Sequence, residues 1–233
     1  KTITLTVNSR PTKDGAREVT VRPIQSEELL RYYAWVENNR HYVDSITGGK
    51  IGYVQIPDMD SFGLTRFMKM FFGQIYKEGL IIDVRYNGGG YVSHLILQRL
   101  REEIMSMGIG REGLPEQNGI NAYMITLQNE YSCSDGDIFP YFFREYKLGP
   151  LMGKRTWGGV VGIGGLPPLL DGGYVTVPGG TLYDLKGNWV IENIGVMPDI
   201  EVDNFPARVV AGYDDQLDRA IAHLMKQIKE NPR

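Results

Sequence analysis

The stretch GLIIDVRYNGGG (Gly79–Gly90) decides how this chain is read. Its opening GLIIDVR (Gly79–Arg85) runs apolar residues together instead of alternating them, the pattern of a strand buried on both faces. The strand breaks at Asn87 and three glycines, and a helical pattern follows to about Met107. Upstream, IGYVQIP (Ile51–Pro57) reads as another strand. Ser61 then caps a helix to about Lys77, with Phe67, Phe71 and Ile75 on one face. Downstream, Ile120–Leu127 is a third strand, ending at YSCSDGD (Tyr131–Asp137). The helix that follows reaches about Tyr146, with Pro140 near its first turn, where a missing N–H costs little. Strand and helix alternating three times predict an α/β fold with a parallel sheet and right-handed crossovers.

The flanks read differently. Thr2–Asn8 and Arg17–Pro23 alternate β-branched and polar residues around Asp14-Gly15, which predicts a hairpin with one wet face. Leu29, Leu30, Tyr33 and Val36 suit an amphipathic helix from Ser26, its N-cap, to about Asn38. Gly172–Glu192 is glycine-rich, with short strands at Tyr174–Val177, Thr181–Asp184 and Trp189–Ile191 and a hairpin turn at Lys186-Gly187-Asn188. A polar-faced helix from about Asp214 to Lys229 closes the chain. The expected division is a hairpin over residues 1–24, a linking helix over 25–50 and the main domain over 51–233.

Composition narrows the function classes. The 233 residues are 42% hydrophobic and 23% charged, an ordinary globular balance. A net charge of -3 argues against a broad phosphate-binding face, so no nucleic acid partner is expected. One cysteine, Cys133, excludes an intramolecular disulfide and the common zinc frameworks. His41, His94 and His223 are scattered, which argues against a His-rich metal site, and the function read below needs no cofactor or metal. No apolar run approaches the roughly 20 residues of a membrane helix. Lys1 leads straight into strand-like sequence without an initiator methionine, which reads as a cut in a longer polypeptide.

Two strand ends are chemically unusual. Three glycines after Asn87 let backbone N–H groups face a cavity, as an oxyanion hole requires; a tight strand-to-helix connection would use the same residues. Ser134 passes directly from strand to helix, where exposed N–H groups favour an alkoxide or oxyanion. The plainer alternative is a helix N-cap followed by two first-turn acids, Asp135 and Asp137. No EF-hand spacing follows them. Glu192, alone at a strand end, is a surface charge unless the fold carries it to Ser134.

These motifs, in order, resemble the tricorn proteases, a branch of the carboxy-terminal processing peptidases. The resemblance runs over most of Gly48–Arg233, through GGKIGYVQIPDM (Gly48–Met59), DVRYNGGGYVS (Asp83–Ser93), YSCSDGDIFPYFF (Tyr131–Phe143), GKRTWGGVVGI (Gly153–Ile163), VIENIGVMPDIEVD (Val190–Asp203) and GYDDQLDRAI (Gly212–Ile221). It implies a crotonase- or ClpP-like spiral of βαβ units, with the opening hairpin as the end of a PDZ-like domain. It implies a serine peptidase acting on peptides or unfolded segments by an acyl-enzyme route. Ser134 would be the nucleophile, the Gly88 and Asp135 N–H groups the oxyanion hole, and Glu192 the acid that orients a catalytic histidine. It also implies upstream domains, self-association when full length, and a cytoplasmic address, with periplasm or secretion as alternatives.

Two departures from the family pattern matter. Gly159 stands where Ser-Lys processing peptidases carry their lysine, which disfavours that mechanism; Lys154 lies five residues earlier at a different family position. None of His41, His94 and His223 matches the family's catalytic histidine, which lies upstream of the PDZ domain. The rivals are a peptide-binding scaffold that has lost activity and a Ser-Lys peptidase using Lys154.

Overall fold

The computed structural model describes residues 1–113, 115–117 and 119–232, and the chain divides into two compact units, Lys1–Asn38 and Asn39–Arg233. The division falls inside a helix, later than the expected end of the hairpin. In the first unit β1 (Ile3–Val7) pairs antiparallel with β2 (Arg17–Val21), Ile3 opposite Val21 and Leu5 opposite Val19. Both faces of this ribbon are largely exposed, so it is wetter than the alternation predicts. Helix α1 runs over Glu28–Ile46, well beyond Asn38, and Ser26 Oγ accepts Glu28 N–H at 3.1 Å just ahead of it.

The second unit is built on β3 (Ile51–Gln55), α2 (Ser61–Phe72), β4 (Gly79–Asp83), α3 (Ser93–Leu100), β5 (Gly108–Ile109), β6 (Pro115–Glu116) and β7 (Tyr123–Gln128). There follow α4 (Asp135–Glu145), β8 (Leu151–Gly153), β9 (Gly162–Gly165), β10 (Thr176–Gly180), β11 (Ile200–Glu201), α5 (Pro206–Val210) and α6 (Asp215–Glu230). Five strands form an entirely parallel sheet in the order β11-β8-β7-β4-β3, so strand order follows chain order. The register sets Leu80 beside Gly52 and Met124, and Ile81 beside Tyr53 and Ile125.

Alternate residues of each strand then feed two separate cores. Val54, Leu80, Ile82 and Met124 pack with Phe67 and Phe71 of α2, Ile96 of α3, and Phe139 and Phe143 of α4. On the other face Tyr53, Ile81, Ile125 and Leu127 are buried with Leu217, Ala220, Ile221, Leu224 and Ile228 of α6, which packs against β3, β4, β7 and β8. That two-sided burial is why β4 reads as an unbroken apolar run.

Several expectations are corrected. Helix α2 stops at Phe72 with Gly73 as its C-cap, short of Lys77. Leaving the helix there frees Gln74 to sit against the edge strand. Its Oε1 accepts Tyr53 N–H at 2.9 Å and its Nε2 donates to Tyr53 O at 3.0 Å. The capping residue of α2 is Asp60, not Ser61. Helix α3 ends at Leu100, not Met107; Met105 and Met107 lie largely exposed and give a longer helix little to pack against. Pro140 falls beyond the first turn of α4 and removes an interior helix bond. The hairpin at Lys186-Gly187-Asn188 is present as a Tyr183–Trp189 bridge, while β9 pairs antiparallel with β10 where strands at Tyr174–Val177 and Thr181–Asp184 were expected.

Candidate active site

Two loops leave the carboxyl ends of the adjacent strands β4 and β7, and Asn87 joins them. Fully buried, it donates from Nδ2 to Ile56 O at 2.9 Å and accepts Gly89 N–H on Oδ1 at 2.9 Å. Its C=O accepts Cys133 N–H at 3.0 Å, which ties the glycine loop to the turn carrying Ser134. Gly89, at φ +90°, lies against that turn. A Cβ there would stand 2.6 Å from Ser134 Cβ and 3.1 Å from its Oγ. Only glycine allows both the conformation and the approach.

Ser134 is the N-terminal flanking residue of α4, at φ 56° and ψ -122°. A non-glycine residue so placed stores on the order of 1–3 kcal/mol, a cost that clusters at functional sites. Its side chain makes no capping bond, so helix capping does not explain the serine. Its N–H donates to Gly159 O at 3.1 Å, and its C=O accepts Asp137 and Ile138 N–H.

The two acids after it are buried, not solvated. The Asp135 carboxylate accepts Ser93 Oγ–H at 2.5 Å and Ser93 N–H at 2.9 Å, locking the start of α3 to the start of α4. Its own N–H heads α4 and has no acceptor among the described residues. The Gly88 N–H differs from expectation: it is directed at Pro57 O at 3.3 Å, a long bond to an acceptor already in place.

A third segment, Thr156–Val161, reaches the same turn. Gly159 O receives Ser134 N–H, and the next two N–H groups, of Val160 and Val161, donate to Glu192 Oε2 at 2.7 and 2.9 Å. A single peptide group, Gly159 C=O with Val160 N–H, thus links the Ser134 backbone to Glu192, although sequence separates them widely. Its Oε1 has no hydrogen bond among the described residues, which leaves it able to accept another donor.

Lys154 is placed elsewhere. Its Nζ pairs with Glu201 at 3.1 Å and Asp203 at 3.3 Å, and bonds to those two carboxylates push its pKa up. A lysine base needs the opposite shift. The histidines are also apart: none is hydrogen-bonded to Ser134 or Glu192 among the described residues. His94 is exposed on α3, and His41 is exposed on α1 beside Arg40. His223 lies on α6, where burial first, and then Arg219 and Lys226, hold its pKa below the usual histidine range. Among the described residues no group of three or more His, Cys, Asp or Glu side chains could hold a metal ion.

The roles of Asn87, Gly89 and the Gly158–Gly159 pair in tying these loops together were not read from the sequence, although Asn87 has a visible signal: an amide at the strand end ahead of the glycines. Tyr86 is a further strained residue, at φ 62°. Its ring stacks on Tyr131 with centroids 5.5 Å apart, and both N–H groups donate to Asn129 Oδ1.

The chain is similar to known proteins. The signature of peptidase family S41 matches residues 50–202. The tricorn protease of Thermoplasma acidophilum is 39% identical over 216 residues, 91% of this chain and 20% of that protein. A protein of Sulfurisphaera tokodaii named as a tricorn-like protease C-terminal subunit is 44% identical over 222 residues, 94% of this chain and 26% of its own length. A crystal structure of the tricorn protease superposes with a TM-score of 0.87 at 39% identity, covering 92% of this chain and 21% of that one. The chain therefore spans about a quarter or less of the length of these relatives. Over most of its length it is similar to the tricorn proteases, and it belongs to peptidase family S41.

Proposed function

We propose that this chain is the nucleophile-bearing part of a serine peptidase that hydrolyses peptide bonds through an acyl-enzyme. The observation that carries the reading is Ser134 itself: a strained, uncapped serine between a glycine loop and a helix N-terminus. Ser134 Oγ attacks the scissile carbonyl. The carbonyl oxygen, becoming an oxyanion, is received by the free Asp135 N–H, with the Gly88 N–H turning from Pro57 O to supply the second donor. Glu192 offers Oε1 to a protonated imidazole, its other oxygen held by Val160 and Val161.

The general base is proposed to come from outside these residues, since among the described residues no histidine bonds to Ser134, and the acidic partners of Lys154 push its pKa up. Further domains of the same polypeptide, of which relatives have room for several, are the proposed source. The strand order supports a spiral of βαβ units, and the opening hairpin is read as the end of a PDZ-like domain. Peptides and unfolded segments are the proposed substrates.

The test is turnover of fluorogenic peptides by the intact polypeptide, with labelling by a serine-directed phosphonate. Mapping the phosphonate to Ser134, and loss of turnover in Ser134→Ala, are expected. Labelling at another serine, or wild-type turnover by Ser134→Ala, overturns the reading. The 233 residues alone should turn over peptides far below about 1 per second, because a serine without a base is a weak nucleophile. Ordinary turnover by the isolated chain would place a base within it.

A further inference from the structure

Asp137 is a fully buried carboxylate that the proposed chemistry does not use. It sits on the first turn of α4, three residues past Ser134. Its Oδ1 accepts Gly158 N–H at 2.7 Å, while its Oδ2 has no hydrogen bond. Around it stand the Thr156 hydroxyl, which accepts Val196 N–H at 2.8 Å and keeps its own proton to donate, and the N–H groups of Gly158, Gly159 and Ser134. Burial pushes the Asp137 carboxyl above the usual carboxylate range, against the downward pull of Thr156 and those N–H groups. Cys133 feels the same pocket: burial and Asp137 push its thiol up.

The influence of this bond extends past Gly158 itself. Gly158 is at φ +92°, and a Cβ there would meet Gly195 N at 2.5 Å, so the backbone is wedged against the loop after Glu192. Its C=O accepts Asn193 N–H at 2.7 Å. The next residue, Gly159, gives its C=O to Ser134 N–H, and the two after that hold Glu192. One short segment therefore bears on both proposed catalytic side chains. It is gripped by a carboxylate at each end.

We infer that Asp137 is a positioning residue: by accepting the Gly158 N–H it fixes the Gly158–Val161 segment, and through it the Ser134 turn and the Glu192 carboxylate. The inference rests on Ser134 being the nucleophile. It predicts that the acceptor is needed and the charge is not. An asparagine keeps an oxygen for Gly158 N–H and removes a buried, half-satisfied charge; an alanine strands the N–H.

The experiment uses the intact polypeptide. Asp137→Asn should keep kcat within about threefold of wild type and melt no lower than it. Asp137→Ala should lose about 10- to 100-fold in kcat with KM nearly unchanged, the split expected when reacting groups are misplaced while substrate still binds. Phosphonate labelling of Ser134 should slow in the same proportion. If Asp137→Ala does not fold, Asp137→Ser, too short to reach Gly158, takes its place. Overturning results are an Asp137→Asn variant as crippled as the alanine one, or alanine and serine variants with wild-type kcat whose only defect is a lower Tm. Ser134→Ala is run alongside: turnover surviving there refutes the nucleophile assignment and leaves the Asp137 results to be read separately.

Discussion

The strand-end loops at Asn87–Gly90 and Asn129–Asp135 contrast with Gly162–Trp189, the glycine-rich segment after β8. In and beside the loops three glycines are forced by close contact, Gly89 against Ser134, Gly90 against Met59 O and Gly136 against Asn87 O, while Gly88 alone has open space. In the segment Gly164, Gly165, Gly172, Gly180 and Gly187 have nothing within 4 Å of an added Cβ. Its apolar side chains, Ile163, Leu170, Tyr174 and Leu185 among them, lie exposed. Glycine serves close packing in one region and open turns in the other. Substitution should therefore be costly in one place and tolerated in the other.

The largest effect should come from Gly89→Ala. The added methyl meets Ser134 Cβ and Cys133 O below 3.0 Å at a φ that alanine resists, so turnover should fall at least about 100-fold, with a lower Tm. Peptide kinetics and a melting curve check this. Gly172→Ala and Gly187→Ala share the positive φ but not the crowding, and should cost only about 1 kcal/mol with turnover intact. Equal losses at both kinds of site would erase the contrast.

Next is Glu192→Gln, which keeps an oxygen for Val160 and Val161 but removes the charge that the proposed mechanism sets beside an imidazolium. A kcat loss of about 10- to 100-fold with an unchanged Tm is expected. Wild-type turnover would return Glu192 to a purely local role.

Beneath the loops, Arg85 is bound to Asp83 and Asp214 and is nearly inaccessible. Burial raises the Asp214 carboxyl, but Arg85 outweighs it and holds the pKa below the usual carboxylate range. The folded pKa lies below the unfolded one, so the stabilisation is present above about pH 4 and is lost as pH falls through the folded value. Asp214→Asn should cost about 2 kcal/mol at neutral pH, and its Tm should fall less steeply on acidification. An acid branch identical to wild type would remove Asp214 from that role.

The smallest effects should be Leu185→Lys, within about 0.5 kcal/mol because the side chain is wholly exposed, and Lys154→Met, with turnover within about twofold. A folded Lys154→Met variant without turnover would favour the Ser-Lys mechanism instead.

The same contrast explains what sequence could reveal. Strands β3, β4 and β7 were legible because burial on two faces leaves an apolar run, and α6 because Asp214 caps it and its apolar stripe is regular. The ends of α2 and α3 were not, because a side-chain bond from Gln74 and the absence of a packing face ended them, and neither writes a local signal. Strands β8 and β11 are only three and two residues long. Ser134, Asp135 and Glu192 were picked out by motif. That Glu192 is bound one peptide group from Ser134 comes from the loop after β8 folding back, which no spacing encodes.

The conformation of Ser134 carries a consequence for how such a protein evolves. A residue at φ 56° and ψ -122° sits where glycine is at ease. Ser134→Gly and Ser134→Ala both delete the hydroxyl, but only glycine also releases the backbone, so the glycine variant should melt higher than the alanine one. Selection for stability alone would thus favour glycine at this position, against whatever use is made of the hydroxyl.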